Sequence, residues 1–381
     1  MVQPEFKPFT FNIDGTSRFC VDSGTRRYID FSGSAMTVGY DFIRKEDIVS
    51  PVSSLVFKNR YTSGLVAALV RLSGFENAAF TTSGTEACDV ALGRYGAPFI
   101  AFEGAYHGLS HLTDAVSNGT GIDRRGRISH LLFPAKRISD DDAIERNEDI
   151  LKKASKAFSL DGGTIIMELI QSDGGVNVAS GKFIRYVSEV RERYGMRLVI
   201  DEVYTGMGRS GELFLFKKYG LEPDMVCIGK GMAAGLPLGA VLYNGEWGLP
   251  HNNVVSMQSA NMMSSKVALR VLDSLKGGRL AKVRRAGAKM IKKMKEIGNG
   301  KIYDVRGMGF MIGIDLAASD GTPATDYAYE IREGLARKGL ICSLVGNGNN
   351  VVKVTPPVLV DGRTLEKATG ILVDVLSRNG E

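Results

Sequence analysis

Five short apolar runs separated by helical stretches constrain this chain more than any other feature. They are AAFT (Ala78 to Thr81), PFIAF (Pro98 to Phe102), TIIME (Thr164 to Glu168), LVID (Leu198 to Asp201) and MVCI (Met225 to Ile228). Such runs, alternating with helices, predict parallel strands buried on both faces. Between two of them, Phe183, Val187, Val190 and Tyr194 recur at helical spacing, with Ser180 placed to cap the start. This is one crossover helix. From about Met262 to Ile297 the pattern is largely helical, broken near Gly277 and Gly278, and short strands such as MIGIDL (Met311 to Leu316) and VVKVT (Val351 to Thr355) follow. The expected class is α/β: a large domain with a mostly parallel sheet over 46–275 and a smaller α+β domain over 276–381. Residues 1–45 are expected to join the smaller domain.

The 381 residues, 44% hydrophobic and 24% charged, suffice for one large core and a second, smaller one. No run approaches the roughly 18 apolar residues of a membrane span. The opening MVQPEFKPFTFNIDG lacks the basic and apolar regions of a signal peptide, so a cytoplasmic protein is expected. Cys20, Cys88, Cys227 and Cys342 lie far apart, which suggests buried free thiols and no zinc set or other metal site. The net charge of +6 is densest from Lys282 to Lys295, interleaved with Leu280, Val283, Met290, Met294 and Ile297. That spacing predicts a solvated helix face and no nucleic-acid partner.

Four features fall at ends of the predicted strands, where open α/β sheets present functional groups. Asp201 ends one strand and is followed by the Gly-rich EVYTGMGRSG. Lys230 follows another, between Gly229 and Gly231. In TTSGTEA a strand breaks at Ser83 and Gly84 and a helix begins near Thr85 and Glu86, leaving backbone N–H groups for an anion. EGAYHG offers Tyr106 and His107 beside a glycine. Taken singly, these are equally a cap, a surface lysine, a plain helix start and a packed tyrosine. Pyridoxal 5′-phosphate asks for all four at once: an amine for an imine, an acid for the ring nitrogen, an anion cradle and flat contacts for the ring. A dinucleotide-binding reading would need GxGxxG after the first strand, and no such placement occurs.

The segments DEVYTGMGRSG, GKGMAAGLPLGAVL, SGTEA and AYHG resemble those of the class III, ornithine/acetylornithine-type aminotransferases of fold type I. The resemblance extends from YIDFSG at Tyr28 to TPPV at Thr355. It implies an enzyme that moves an amino group between an amine or amino acid and a 2-oxo acid. Lys230 would be Schiff-base lysine and proton carrier, and Asp201 the partner of the pyridine nitrogen. Val203 and Tyr106 would face the ring from opposite sides, with Tyr204 near its 3′-oxygen, where the family often has Gln. Ser83, Gly84 and Thr85 would hold the phosphate, His107 and Glu168 complete the cofactor site, and Glu86 stand behind it. A homodimer with shared active sites is implied.

Three departures from the family pattern stand out, two at the substrate carboxylate and one at the neighbouring subunit's contact with the phosphate. MELIQSDGG carries Asp173 where a second glutamate is expected, and VVKVTPP carries Lys353 where many members have an arginine for the substrate carboxylate. Lysine lacks the planar fork of arginine. In NVVSMQSAN, Met257 stands where the family brings a threonine from the neighbouring subunit to the phosphate; either Ser256 or Ser259 supplies that hydroxyl after a local shift, or the contact is absent. An amino-acid racemase, epimerase or aminomutase, or a decarboxylating member, would keep every cofactor residue named here.

Overall fold

The chain's computed structural model describes residues 13–33, 38–50, 52–54, 57–117, 119–247 and 255–378. Its centre is an eight-stranded sheet in the order Asn77–Thr81, Gly239–Tyr243, Met225–Ile228, Arg197–Asp201, Thr164–Glu168, Phe99–Phe102, Ile128–Leu131, Gly121–Asp123. All five apolar runs are strands of this sheet. Alternate residues serve opposite faces, as the two-residue period of a strand requires. Leu198 and Ile200 pack into one core cluster, while Val199 between them packs into the other with Ala87, Cys88 and Ala91. The crossover helix forms over Gly181–Arg193, with the Ser180 side chain accepting from the Phe183 N–H.

The sheet is mostly parallel, as expected, with two strands reversed. Gly239–Tyr243 runs antiparallel to both its neighbours, and Gly121–Asp123 is antiparallel to Ile128–Leu131. GAVLY is as short and apolar as a parallel strand, and its residues carry no mark of direction. Likewise Cys88, Cys227 and Cys342 are buried, but Cys20 is only half-buried, since it lies in the N-terminal hairpin.

The C-terminal part builds a four-stranded antiparallel sheet ordered Ile302–Met308, Met311–Leu316, Val351–Val354, Ser343–Val345. The helix Arg279–Lys295 buries Val283, Met290 and Met294 and carries the basic residues on its outer side. Near the N-terminus, Arg26–Asp30 pairs in parallel with Leu340–Ile341. No described helix is long and apolar enough to cross a membrane.

A small hairpin links the two sheets. Ile170–Gln171 pairs with Asn177–Val178, and its turn carries Ser172 and Asp173. The Gly346 N–H donates to the Asp173 carbonyl at 2.8 Å, and Arg306 donates to the Gly175 carbonyl from Nε and Nη2. The central sheet and the C-terminal sheet therefore meet beside the ends of the Glu168 and Asp201 strands.

Candidate active site

The strand ends open onto a cavity of about 270 Å³, lined by Ser83, Gly84, Thr85, Tyr106, His107, Glu168, Asp201, Val203, Tyr204 and Lys230. All the residues expected to hold the cofactor share this one space. Asp201 and Glu168 are register partners on adjacent parallel strands, and Cys227 is the partner of Asp201 on its other side. Parallel pairing thus sets both carboxyls at one sheet edge.

Asp201 is 5% exposed and strongly held. Oδ1 accepts from the Val203 N–H at 2.9 Å, while Oδ2 faces His107 Nδ1 at 2.8 Å and accepts from Cys88 Sγ at 3.5 Å. A carboxylate has about four lone-pair sites, so one remains, on Oδ1. Cys88, His107 and Asp201 are close enough in principle to hold a cation. Hydrogen bonds among these three groups already account for the contact. His107 Nε2 is buried without a partner among the described residues.

Lys230 begins a short 3₁₀ turn, Lys230–Ala233, with φ 42°. Left-handed backbone at a non-glycine residue costs about 1–3 kcal/mol and gathers at functional sites. Its ammonium makes no hydrogen bond or ion pair with a described residue and stands 4.5 Å from the centre of the Tyr204 ring. Gly229 lets this turn approach closely, since a Cβ there would lie 3.0 Å from Gly84 Cα.

Gly84 starts the helix Gly84–Tyr95, capped by Ser83, whose hydroxyl accepts from the Glu86 N–H at 3.1 Å. Glu86 turns back to accept from the Thr82 N–H. The Gly84 and Thr85 N–H groups are the first-turn donors left over, and they border the cavity. A Cβ on Gly84 would come within 2.4 Å of Val203 Cγ1, so only glycine lets the helix start and Val203 close on the same space. A phosphate-bearing flat ring fits this set. Free helix-start donors suit the phosphate, and the open acceptor of Asp201 suits a ring N–H at the far side.

Glu168 accepts from the Tyr106 N–H at 3.1 Å and the Ser172 N–H at 3.0 Å. Burial, with Asp201 nearby, pushes its carboxyl up to about 7 despite those donors and His107. It thereby ties the Tyr106 loop to the hairpin turn. On that turn, Asp173 Oδ1 pairs with Lys353 Nζ at 3.3 Å, and Lys353 also donates to Ser172 Oγ at 3.2 Å. Lys353 is 7% exposed and Asp173 43%. Burial works against both charges. Tyr204 and Asp173 nevertheless raise Lys353 above the usual lysine range, and Lys353 and Lys230 hold Asp173 below the usual carboxylate range.

Tyr204 joins the two lysines. Lys353 Nζ lies 4.8 Å from its ring centre and Lys230 Nζ 4.5 Å. Burial raises the phenol, but Lys353, Arg209 and Lys230 outweigh it and leave the group below the usual tyrosine range.

The serines considered for a contact with a neighbouring subunit lie against each other, a pairing that uses one of their two hydroxyl protons. Ser256 and Ser259 hydroxyls bond each other at 2.7 Å and Ser259 is fully buried, while Met257 is 51% exposed. Sequence reasoning overlooked Ser172, Cys88 and the segment Gly235–Leu238 that also lines the cavity. Ser172 adjoins Asp173, and the segment follows Lys230 directly, so chain proximity could have found them; Cys88 carried no such signal.

Fold and site together define a pyridoxal phosphate-dependent enzyme with a lysine and an aspartate at the edge of a mixed sheet. The sequence profile of the class III aminotransferases matches residues 8–376. The chain belongs to that family: it is an aminotransferase that moves an amino group between an amine or amino acid and a 2-oxo acid, with pyridoxal phosphate as cofactor. An acetylornithine aminotransferase of Aquifex aeolicus is 27% identical, with 96% of each chain covered. An alanine/serine racemase of Pyrococcus horikoshii is also 27% identical, over 96% of this chain and 83% of that protein, so identity does not favour racemisation. A solved phospholyase from Arthrobacter has the same fold, with TM-score 0.87, 23% identity, and coverage of 99% of this chain and 97% of its own.

Proposed function

We propose that Lys230 is the covalent anchor of the cofactor and the proton carrier of this aminotransferase, and that Asp201 holds the ring nitrogen. The observation that carries this reading is the single cavity onto which both residues and the free helix start open. When bound, pyridoxal phosphate supplies a carbonyl that takes up amino groups and a ring that accepts the electron pair released at the substrate carbon. The residues do the rest. Gly84 and Thr85 would donate backbone N–H groups to the phosphate, with the Ser83 and Thr85 hydroxyls beside them. Val203 and Tyr106 would confine the ring, with Tyr204 near it, and His107 orients Asp201. Glu168 fixes the Tyr106 loop. Asp201, kept in place by its donors, favours a protonated ring nitrogen and so stabilises negative charge developing on the substrate. Reduction with borohydride followed by peptide mass spectrometry should place the adduct on Lys230, and an adduct elsewhere refutes this.

Lys353 is assigned to the substrate carboxylate and Asp173 to its counter-ion. Their 3.3 Å pairing at the junction of the two sheets supports this. A lysine point charge grips a carboxylate less specifically than a guanidinium. Smaller oxo acids should therefore compete with 2-oxoglutarate, and a panel of amino donors and oxo acids with chiral product analysis tests both this and any racemisation.

The division into an N-terminal segment 1–45, a large domain 46–275 and a small domain 276–381 is part of the same proposal, supported by the pairing of Arg26–Asp30 with Leu340–Ile341. So is a cytoplasmic homodimer. Exposed Phe57, Leu109 and Met257, the last held through its carbonyl by Ser53 Oγ, are apolar surface of the kind an interface covers. Sedimentation of the purified protein tests it.

A further inference from the structure

Cys88 lies on the helix whose first turn borders the phosphate end of the cavity, yet its thiol reaches the opposite end, at Asp201. We propose that Cys88 is a positioning residue for Asp201: its thiol fills the second acceptor site of Oδ2 and, backed by Cys227, confines the remaining lone pair to Oδ1, toward the cofactor's ring nitrogen. This rests on the assignment of Asp201 to that nitrogen.

The geometry carries the argument. Cys88 Sγ lies 3.5 Å from Asp201 Oδ2, and both Cys88 and Cys227 are 0% exposed. Cys227 is the strand-register partner of Asp201, so sheet pairing delivers the second thiol beside the first. Hydrogen bonding to Cys227 and burial push the Cys88 thiol well above its ordinary range. It therefore stays a neutral S–H donor and does not become a competing anion beside Asp201. A thiol is a weak donor. Its contribution is chiefly directional: with His107 alone on Oδ2 the carboxylate could rotate and spread its open acceptor sites over both oxygens.

The same arrangement ties the two ends of the cofactor site together. Any shift of the helix start at Gly84 and Thr85 would also move the thiol bound to Asp201. Phosphate grip and ring-nitrogen grip are thus mechanically linked through one helical turn.

The test uses Cys88→Ala, Cys88→Ser and Cys227→Ala in the full chain loaded with pyridoxal phosphate. The readouts are nitrogen NMR of ring-labelled cofactor, cofactor affinity, and kcat separately from KM. Cys88→Ala should shift the ring-nitrogen signal toward the unprotonated form, weaken cofactor binding about three- to tenfold and lower kcat by a similar factor with KM unchanged. Cys88→Ser, which keeps a donor at nearly the same volume, should restore all three to within about twofold. Cys227→Ala should give a smaller change of the same sign. An unchanged ring-nitrogen signal in Cys88→Ala, or a Cys88→Ser protein no better than Cys88→Ala, overturns the proposal. If Cys88→Ala does not fold, the near-isosteric Cys88→Ser and Cys227→Ala decide: a wild-type signal in the first with a shifted signal in the second supports it, and any other pairing overturns it. Asp201→Ala separates the underlying assignment, because a signal unmoved there means that Asp201 does not hold the ring nitrogen at all.

Discussion

The two ends of the cavity are built differently. At the cofactor end, Asp201 is fixed by strand register and three donors, Lys230 by a left-handed turn, and the anion cradle by a capped helix start. At the substrate end, Lys353 and Asp173 come from different sheets, and one of the pair is 43% exposed. The first end is backbone geometry carrying side chains; the second is a side-chain ion pair laid across a junction. Backbone geometry tolerates little change, whereas an ion pair can be exchanged for another with modest loss. Asp201 and Lys230 accordingly keep the family pattern while Asp173 and Lys353 depart from it; the departures nearer the cofactor, Tyr204 and Met257, are likewise side-chain contacts and not backbone geometry.

The largest effect that could break this contrast is at Lys230. Lys230→Ala should lower turnover by roughly four orders of magnitude, the scale of losing a group that acts covalently, measured in single-turnover assays. Asp201→Ala should come next. The protein should stay coloured, because anchor and phosphate site are separate, while kcat falls by about a hundred- to a thousandfold; normal activity would show that this acid is not the electrostatic partner.

Substitutions at the substrate end should act on KM and with opposite signs. Lys353→Ala should raise KM for carboxylate substrates by about ten- to a hundredfold, with kcat much less affected. Asp173→Asn should lower that KM by only a few-fold, since the partly exposed carboxylate is screened by solvent, to about 1 kcal/mol or less. Matching losses of kcat from both variants would mean that the two ends are not separable.

The smallest effect concerns the link between the ends. Glu168 in the folded chain titrates at about 7, against 4.5 for an ordinary glutamate. Between those values the folded chain holds a proton that the unfolded chain has released, so the Glu168 contribution to stability is lost as pH rises from about 4.5 through about 7. Glu168→Gln should flatten that part of the pH profile of the urea midpoint. A profile unchanged by the substitution would place the proton elsewhere; Glu202, also raised to about 7 by burial, is the group to replace next.

Much of the cofactor end was legible because its chemistry sits in contiguous segments. SGTEA is a strand end, a cap and a helix start within a few residues, and Gly229–Lys230–Gly231 is a turn that needs no distant partner to be recognised. The direction of Gly239–Tyr243 was not legible, since direction depends on which neighbours a strand meets. Nor was Cys88, because its Asp201 partner lies 113 residues along the chain.

The sequence by itself determined the strand-and-helix alternation and the cofactor, and it put Lys230 and Asp201 forward for the site, since each stands out by local periodicity or by residue chemistry at a strand end. Tertiary structure alone decided how these groups come together: the pairing of Asp173 with Lys353, the two ammonium groups near the Tyr204 ring, and the thiol on Asp201. Those contacts join segments far apart in sequence. Their distances are set by strand register, by the packing of a helix on its sheet and by the junction of two sheets, which no run of residues encodes on its own.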